Sequence, residues 1–500
     1  MSGTTVDMTP LAPTPTAGPE APEATPARRI TSLNPATGEL NGSMPAATPA
    51  EVDVAVRRAR GAAQAWRRTS PSERGAALKA AAAAVRADRE RLADLHLRDT
   101  GRLLSDCLGA VDVAADLLVE AATLAPLDAG RSLGGATGAI DLTRREPRGV
   151  VAVITPWNDP LPAAAGLLGA ALATGNTVVH KPSERSALVG LAFAEVVAAH
   201  MPDGVLGVLS GDGETGEALV AHPGVDVVAH VGSTRAGRRI AEVAGPRAAK
   251  LLLENGGKDV MVVDRDVDPV WAAGQAALGA FVNAGQLCVA VERVVVHADV
   301  ADAFLAALVE EAHRWAPGDP ADPATRLGPL IDERALDGVL AHVRSAADAG
   351  ARVLTGGTRA FPAGPSAGSV DGTGGAPGCY LEPTVLTGVT PDMDVWSQET
   401  FGPVVPVAVA ASFDEALAIA DEGSYGLAAT VLTGSVDHAL RAAEVLEVGT
   451  VKVNAVFGGA PGGSADPRRG SGTGRGYGPD LIGELTVLKT VHLEPLPARG

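Results

Sequence analysis

Cysteine, aromatic side chains and basic charge are all scarce in this chain of 500 residues. Its three cysteines, Cys107, Cys288 and Cys379, lie far apart, with no CxxC pair and no His/Cys group at metal-ligand spacing. That excludes a disulfide framework and a zinc site, leaves no expected metal, and points to a reducing, cytoplasmic setting. Lys and Arg number 41 against 59 Asp and Glu, a formal charge of −18, which argues against nucleic acid or an anionic membrane as partner. No uninterrupted apolar stretch reaches the roughly 18 to 20 residues of a spanning helix. Leu161 to Ala173 comes nearest, and Thr174-Gly175-Asn176 ends it. Residues 1 to 27 lack both a basic start and an apolar leader core; rich in Pro, Thr and Ala, they are expected to form a disordered tail.

What is present is ample apolar content, 46% of residues, for two or three folding units. From Thr48 to Ala122 the text is helical, opened by a capping box at Thr48 and Glu51, with a second capping signal at Thr69 to Glu73. Apolar strands then alternate with helices up to the strand Lys250 to Glu254, the pattern of a parallel doubly wound sheet. A second α/β series runs from Asp268, read as an N-cap with Pro269 at the first helical position, to about Thr450. Phe361 to Gly378 reads as a surface loop. Ile140 to Glu146 and Leu481 to Leu493 read as strands without a partner in either domain, expected to pair with each other or with another subunit.

Several turns at strand ends carry chemistry-bearing residues. Asn158, in the TPWN run from Thr155, offers an amide to an oxyanion, although an Asn after a strand is more often a turn former. Lys181 and Glu184 suit the hydroxyls of a ribose, with the carboxylate repelling a 2′-phosphate; in isolation such a pair is simply solvated. Gly211 to Gly216 (GDGETG) matches GxGxxG literally but follows the third strand of its series, a weak signal. Gly232 to Gly237 (GSTRAG) joins a strand to a helix and suits a pyrophosphate, or is an ordinary N-cap at Ser233 or Thr234. Cys288 follows a helical run, Glu254 ends a strand, and Glu399 precedes an aromatic turn. A soft nucleophile and a carboxylate base together suit thioester chemistry; taken singly, each residue has an inert reading.

In their order and spacing these motifs closely resemble the aldehyde dehydrogenase superfamily over residues 30 to 495: TPWN, KPSE, GSTxxG, ENGGK, GQLC and ETFGPV follow one another as they do there. The resemblance implies an α/β fold with a Rossmann-type cofactor domain, an α/β catalytic domain and a small β oligomerisation arm. The corresponding spans are 28–134 with 152–256 for NAD binding, 257–460 for catalysis, and 135–151 with 476–500 for the arm. It further implies Cys288 as nucleophile, Asn158 and the Cys288 N–H as oxyanion donors, and Glu254 as the base that hydrolyses the thioester to a free acid. Relatives that pass the acyl group to coenzyme A generally lack that base. Lys181, counted with the catalytic residues, and Glu184 would hold the adenosine ribose, and Glu399 with Phe401 the nicotinamide ribose. Thr155, Trp157 and Ser233 would line the cofactor path, with Gly213 near the adenine. NAD is the implied cofactor, with NADP the lesser possibility, and the implied assembly is a homodimer or homotetramer.

The chain departs from the family pattern at Asn255, where Leu is usual, and at Asp159, where an aromatic commonly stands. The C-terminal segment is rearranged as well: Pro461 to Gly472 reorders PFGGxKxSG, and Gly476 replaces a Glu. These changes are expected to spare the core chemistry. Positions at which relatives acting on succinic semialdehyde often carry arginine are Gly166 and Val282. With Leu287, Val289 and Phe457 around it, and only 3% aromatic residues in the chain, the pocket is expected to be roomy and aliphatic, with Asp159 its one unusual acid. The implied substrate is a bulky or extended, uncharged or cationic aldehyde. A semialdehyde dehydrogenase of succinic or glutamic type is the alternative, and a non-catalytic structural or binding protein on the same fold is the alternative of another class.

Overall fold

A computed structural model describes residues 28–127, 130–362, 378–458, 463–464 and 466–496. The expected tail at 1–27, most of the loop at 361–378, and positions 461, 462 and 465 of the rearranged motif lie outside the described residues.

The helical N-terminal text forms four helices, Pro49–Arg68, Pro71–Ala87, Arg89–Thr100 and Leu104–Leu124. Both capping signals are realised: Thr48 with Glu51, and Ser70 with Glu73, make reciprocal side-chain to backbone bonds that satisfy the first free N–H groups. The helices pack on a six-stranded sheet whose spatial order is Gly472–Thr473, Lys250–Glu254, Val227–Val231, Val150–Ile154, Thr177–Lys181, Leu206–Val208. All neighbours in it are parallel except the first pair. Val150–Ile154 is apolar throughout because both faces are covered: Val151 and Val153 point into one core, Val150 and Ala152 into the other. From this central strand the chain winds outward through Thr177–Lys181 and Leu206–Val208, then returns to the other side at Val227–Val231. The reversal leaves a crevice at the carboxyl ends of Val150–Ile154 and Val227–Val231, where open α/β sheets take ligands.

The second series builds a seven-stranded sheet with the order Arg352–Thr355, Thr384–Thr387, Val404–Ala410, Arg293–His297, Val260–Val263, Ala428–Leu432, Thr450–Val453. The helix Pro269–Phe281 is capped by the Asp268 side chain on the Val270 N–H, with Pro269 in its first turn.

The two leftover segments do pair with each other. Thr486–Leu493 runs antiparallel to Ile140–Pro147 in full register, and Gly130–Leu133 forms the third strand of that sheet. The expectation of a strand from Leu481 is corrected: Leu481–Glu484 is a short helix. Leu481, Ile482 and Leu485 are buried in the N-terminal core, and a strand, alternating its side chains between two faces, would expose part of that set. Glu146 joins this sheet to the first helix. It accepts from Lys489 at 2.8 Å, from Arg144 at 2.6 Å and from Arg67 at 2.6 Å, and Lys489 first among these cations holds its carboxyl down at about 2.

Candidate active site

Cys288 owes its place to a backbone contortion. After the helix Pro269–Phe281, Asn283, Ala284 and Gly285 all take positive φ, at 51°, 54° and 70°. A Cβ at position 285 would lie 2.2 Å from the Gly402 carbonyl oxygen, so only glycine fits this crossing. The contorted turn is pinned by Gln286. Its amide donates to the Asn283 carbonyl at 3.0 Å and its side-chain oxygen accepts from the Ile331 N–H at 2.9 Å. The Gln286 carbonyl in turn accepts from the Asn158 side-chain amide at 3.0 Å. An amide carries two N–H bonds, so one of them anchors Asn158 and the other is available to a ligand.

Cys288, Asn158 and Glu254 border one cavity of about 1290 Å³ together with Thr155, Trp157, Lys181, Glu184, Gly213, Ser233, Glu399 and Phe401. Asp159, Gly166 and Val289 border it too. Val282, Leu287 and Phe457 do not: Val282 packs against the second core, and Phe457 is partly exposed with the Lys452 ammonium 5.9 Å from its ring centre.

Burial, reinforced by Asp259, Glu254, Glu399 and Asp159, pushes the Cys288 thiol up to about 12. The thiol therefore rests protonated and has to lose its proton before it can attack. Burial also lifts the Glu254 carboxyl to about 7, opposed by the Gly476 N–H and helped by Asp466. A carboxylate poised near neutrality suits a general base.

On the opposite side of the cavity Lys181 is buried at the end of its strand. Its ammonium donates to the carbonyls of Pro182 and Gly211, each at 2.9 Å, and lies 3.9 Å from Glu184; burial lowers its affinity for the proton. Ser233 caps the helix Thr234–Ala244 through the Ala236 N–H, which presents that helix's N-terminal end to the cavity. Gly213 opens another helix, Gly213–Ala221, capped by Asp212. Trp157 and Phe401 meet edge to face at 5.5 Å.

Sequence reasoning missed the residues that hold these groups. Glu292 is buried and accepts from Lys258 Nζ at 2.7 Å, from the Thr400 N–H at 2.7 Å and from the Phe401 N–H at 2.9 Å. Glu399 beside them accepts from the Gly257 N–H at 3.0 Å; burial, with Glu292 nearby, pushes its carboxyl up. Lys258 stands inside the ENGGK run, but nothing local marks Glu292 as its partner. Arg102 was missed as well. It donates to Asp159 at 2.6 Å and to the Asn158 carbonyl at 3.2 Å, so the one unusual acid expected of the pocket is paired with a guanidinium, and Glu120 borders the same cavity as a further acid.

The family model described as "Aldehyde dehydrogenase family" matches residues 22–491. The chain is 37% identical to a benzaldehyde dehydrogenase [NAD(+)] of Pseudomonas putida over 93% of each chain. It is 37% identical to a 3,6-anhydro-alpha-L-galactose dehydrogenase of Streptomyces coelicolor over 92% of each. A crystal structure of an NAD-dependent aldehyde dehydrogenase from Sinorhizobium meliloti superposes with a TM-score of 0.88 at 34% identity, covering 94% of this chain and 93% of that one.

Because Glu292 neutralises a buried lysine and organises the Glu399–Phe401 turn, Glu292→Ala should lower the unfolding free energy by about 3 to 5 kcal/mol, the usual cost of stranding one partner of a buried pair. Urea unfolding followed by tryptophan fluorescence measures it, and a loss below about 1 kcal/mol, the range of a surface pair, would show that the pair is not what holds the turn. Cysteine, amide and carboxylate thus meet at the carboxyl ends of the strands in a fold shared with those relatives, and the chain belongs to the aldehyde dehydrogenase family.

Proposed function

We propose that the protein oxidises an aldehyde to the carboxylic acid with NAD, through a thioester on Cys288. The observation that carries this reading is that Cys288, the Asn158 amide and Glu254 all border one cavity. The Cys288 thiol gives its proton to water in the cavity, its sulfur bonds to the aldehyde carbon as the C=O π bond opens, and the resulting oxyanion is held by the free Asn158 N–H and the Cys288 backbone N–H. NAD, when bound, would supply the hydride acceptor for that carbon. The Glu254 carboxylate then takes a proton from water, the water oxygen bonds to the thioester carbon, and the C–S bond breaks to release the acid and the Cys288 thiolate.

The residues present fit a dinucleotide. The N-terminal end of the helix Thr234–Ala244 suits the pyrophosphate, Lys181 and Glu184 suit the adenosine ribose, and Glu399 with Phe401 suits the nicotinamide ribose. Glu184 is exposed enough to meet a ribose and carries the charge that would repel a 2′-phosphate, which supports NAD over NADP.

For the substrate, the supporting features are the walls. Leu117, Leu124, Ala163, Leu481 and Ile482 are apolar, and a side chain at Gly166 would meet only open space. Glu120 and Asp159 add acids, and of the arginines that border the cavity Arg185 is paired with Asp332 and Arg239 with Glu217, while Arg235 and Arg334 border it too. This suits a bulky or extended aldehyde that is uncharged or cationic, in keeping with a relative that acts on benzaldehyde. We further propose that the free edge of Thr486–Leu493, with Val487, Leu488 and Leu493 exposed, joins subunits into a homo-oligomer.

Four measurements test these readings. Glu254→Gln should keep a stoichiometric burst of NADH but slow steady turnover by about 10²-fold or more, within the range for a lost general base. The wild-type deacylation rate should rise with pH through about 7, because only the deprotonated carboxylate can take a proton, and the variant should lose that limb. Loss of the burst as well would assign Glu254 to thiol activation instead. In an aldehyde panel with NAD and NADP side by side, benzaldehyde and larger aldehydes should exceed succinic semialdehyde in kcat/KM with NAD; the reverse order would sink the pocket reading. Leu488→Arg should lower the mass seen by light scattering, and an unchanged mass would remove that strand from the subunit contact.

A further inference from the structure

Two of the departures from the family pattern, Asn255 and Gly476, lie far apart in sequence and both bear on Glu254, the first as its chain neighbour and the second through a hydrogen bond. The C-terminal segment from Gly470 to Gly478 returns to the six-stranded sheet and lies along the last strand before the base. Gly472 and Thr473 pair antiparallel with Glu254 and Leu253. The Asn255 N–H donates to the Ser471 carbonyl at 2.9 Å, and the Asn255 side-chain amide donates to the Gly470 carbonyl at 3.2 Å. This fastening carries the Gly476 N–H to the Glu254 carboxylate, to which it donates at 2.7 Å. A Cβ at position 476 would sit 2.3 Å from Glu254 Cγ and 2.6 Å from its Oε1, closer than any real Cβ contact. Both residues border the cavity, as does Cys288. The groups that bear on the carboxylate are Asp466, which is itself paired with Arg475 at 3.3 Å, and the Cys288 thiol.

We propose that Gly476 is a positioning residue for the hydrolytic step: its N–H fixes the Glu254 carboxylate, and its missing side chain is the space that the carboxylate occupies. This rests on the reading of Glu254 as the base. The expectation that the change at position 476 spares the core chemistry is thereby revised, since that position touches the base directly. Asn255 serves the same end at one remove, tying down the segment that brings the N–H.

The test uses 4-nitrophenyl acetate with the full-length protein, which needs neither the natural aldehyde nor the cofactor. Attack by the Cys288 sulfur on the ester carbonyl expels 4-nitrophenolate and leaves an acetyl thioester, so the burst reads acylation and the steady rate reads hydrolysis. Gly476→Ala should keep the burst amplitude and slow the steady rate by about tenfold, the scale of one charge-assisted hydrogen bond. Its pH midpoint should move up, because the added methyl displaces the carboxylate from the position-476 N–H that favours its ionised form, while burial and Asp466 remain. In the Glu254→Gln background the same change should slow nothing further, since a residue that acts through Glu254 has nothing left to act on. An unchanged rate and midpoint in Gly476→Ala, with Glu254→Gln still slow, would overturn the proposal and leave the base in place. A steady rate unaffected by Glu254→Gln would remove the base and the proposal together. If Gly476→Ala loses its burst, Glu254→Asp combined with it decides: the shorter acid withdraws from the added methyl, so a recovered burst upholds the steric contact and no recovery overturns it.

Discussion

One buried ion pair ties together three stretches that are far apart in sequence. Lys258 follows the strand that ends in Glu254, Glu292 leads into the strand after Cys288, and the backbone N–H groups of Thr400 and Phe401 belong to the Glu399 turn. A charged pair out of water is stable only if its remaining lone pairs and protons find partners; here Glu292 accepts from three donors, and two of the three Lys258 N–H bonds are taken, the second by the Thr400 hydroxyl at 3.0 Å. The geometry around the cysteine follows from that fixed point. Gly257 gives its N–H to Glu399, and Gly285 crosses Gly402 too closely for any side chain.

Around this centre the two sheets divide the labour. The six-stranded sheet delivers Asn158, Lys181, Ser233 and Glu254 from the carboxyl ends of its parallel strands, while the seven-stranded unit supplies Cys288 and the Glu399 turn. Asn158 bridges the two through the Gln286 carbonyl, so the side chain proposed to hold the oxyanion is set by the same bond that steadies the cysteine turn. The C-terminal segment closes the arrangement, first as an edge strand beside Glu254, then as the helix Leu481–Glu484, and last as the strand paired with Ile140–Pro147.

Much of this was legible in the sequence where the signal is local. Both capping boxes, the Asp268 cap and the apolar strands depend on residues within a turn or two of one another, and they stand where the patterns put them. The element at Leu481–Glu484 was misread because a short apolar run fits a strand or a buried helix equally well, and packing against the N-terminal core made the choice. The partner of Asp159, Arg102, was not legible because it lies on another segment with no periodicity linking the two. Val282, Leu287 and Phe457 stand near the site in sequence, but the positive-φ turn at 283–285 separates Val282 and Leu287 from the directions that a regular helix would give them.

By itself, the sequence determined the residue types at each strand end, the order in which those ends occur, and hence the family; the nucleophile-and-base chemistry is the proposal that rests on them. Chain order and local pattern suffice for that, because each motif is a short run whose backbone is set by its own residues. Only the tertiary structure decided what each charged group faces: Arg102 against Asp159, Lys258 against Glu292, and the Gly476 N–H against Glu254. Those pairings depend on distant segments approaching within hydrogen-bond distance, which no property of either segment alone contains.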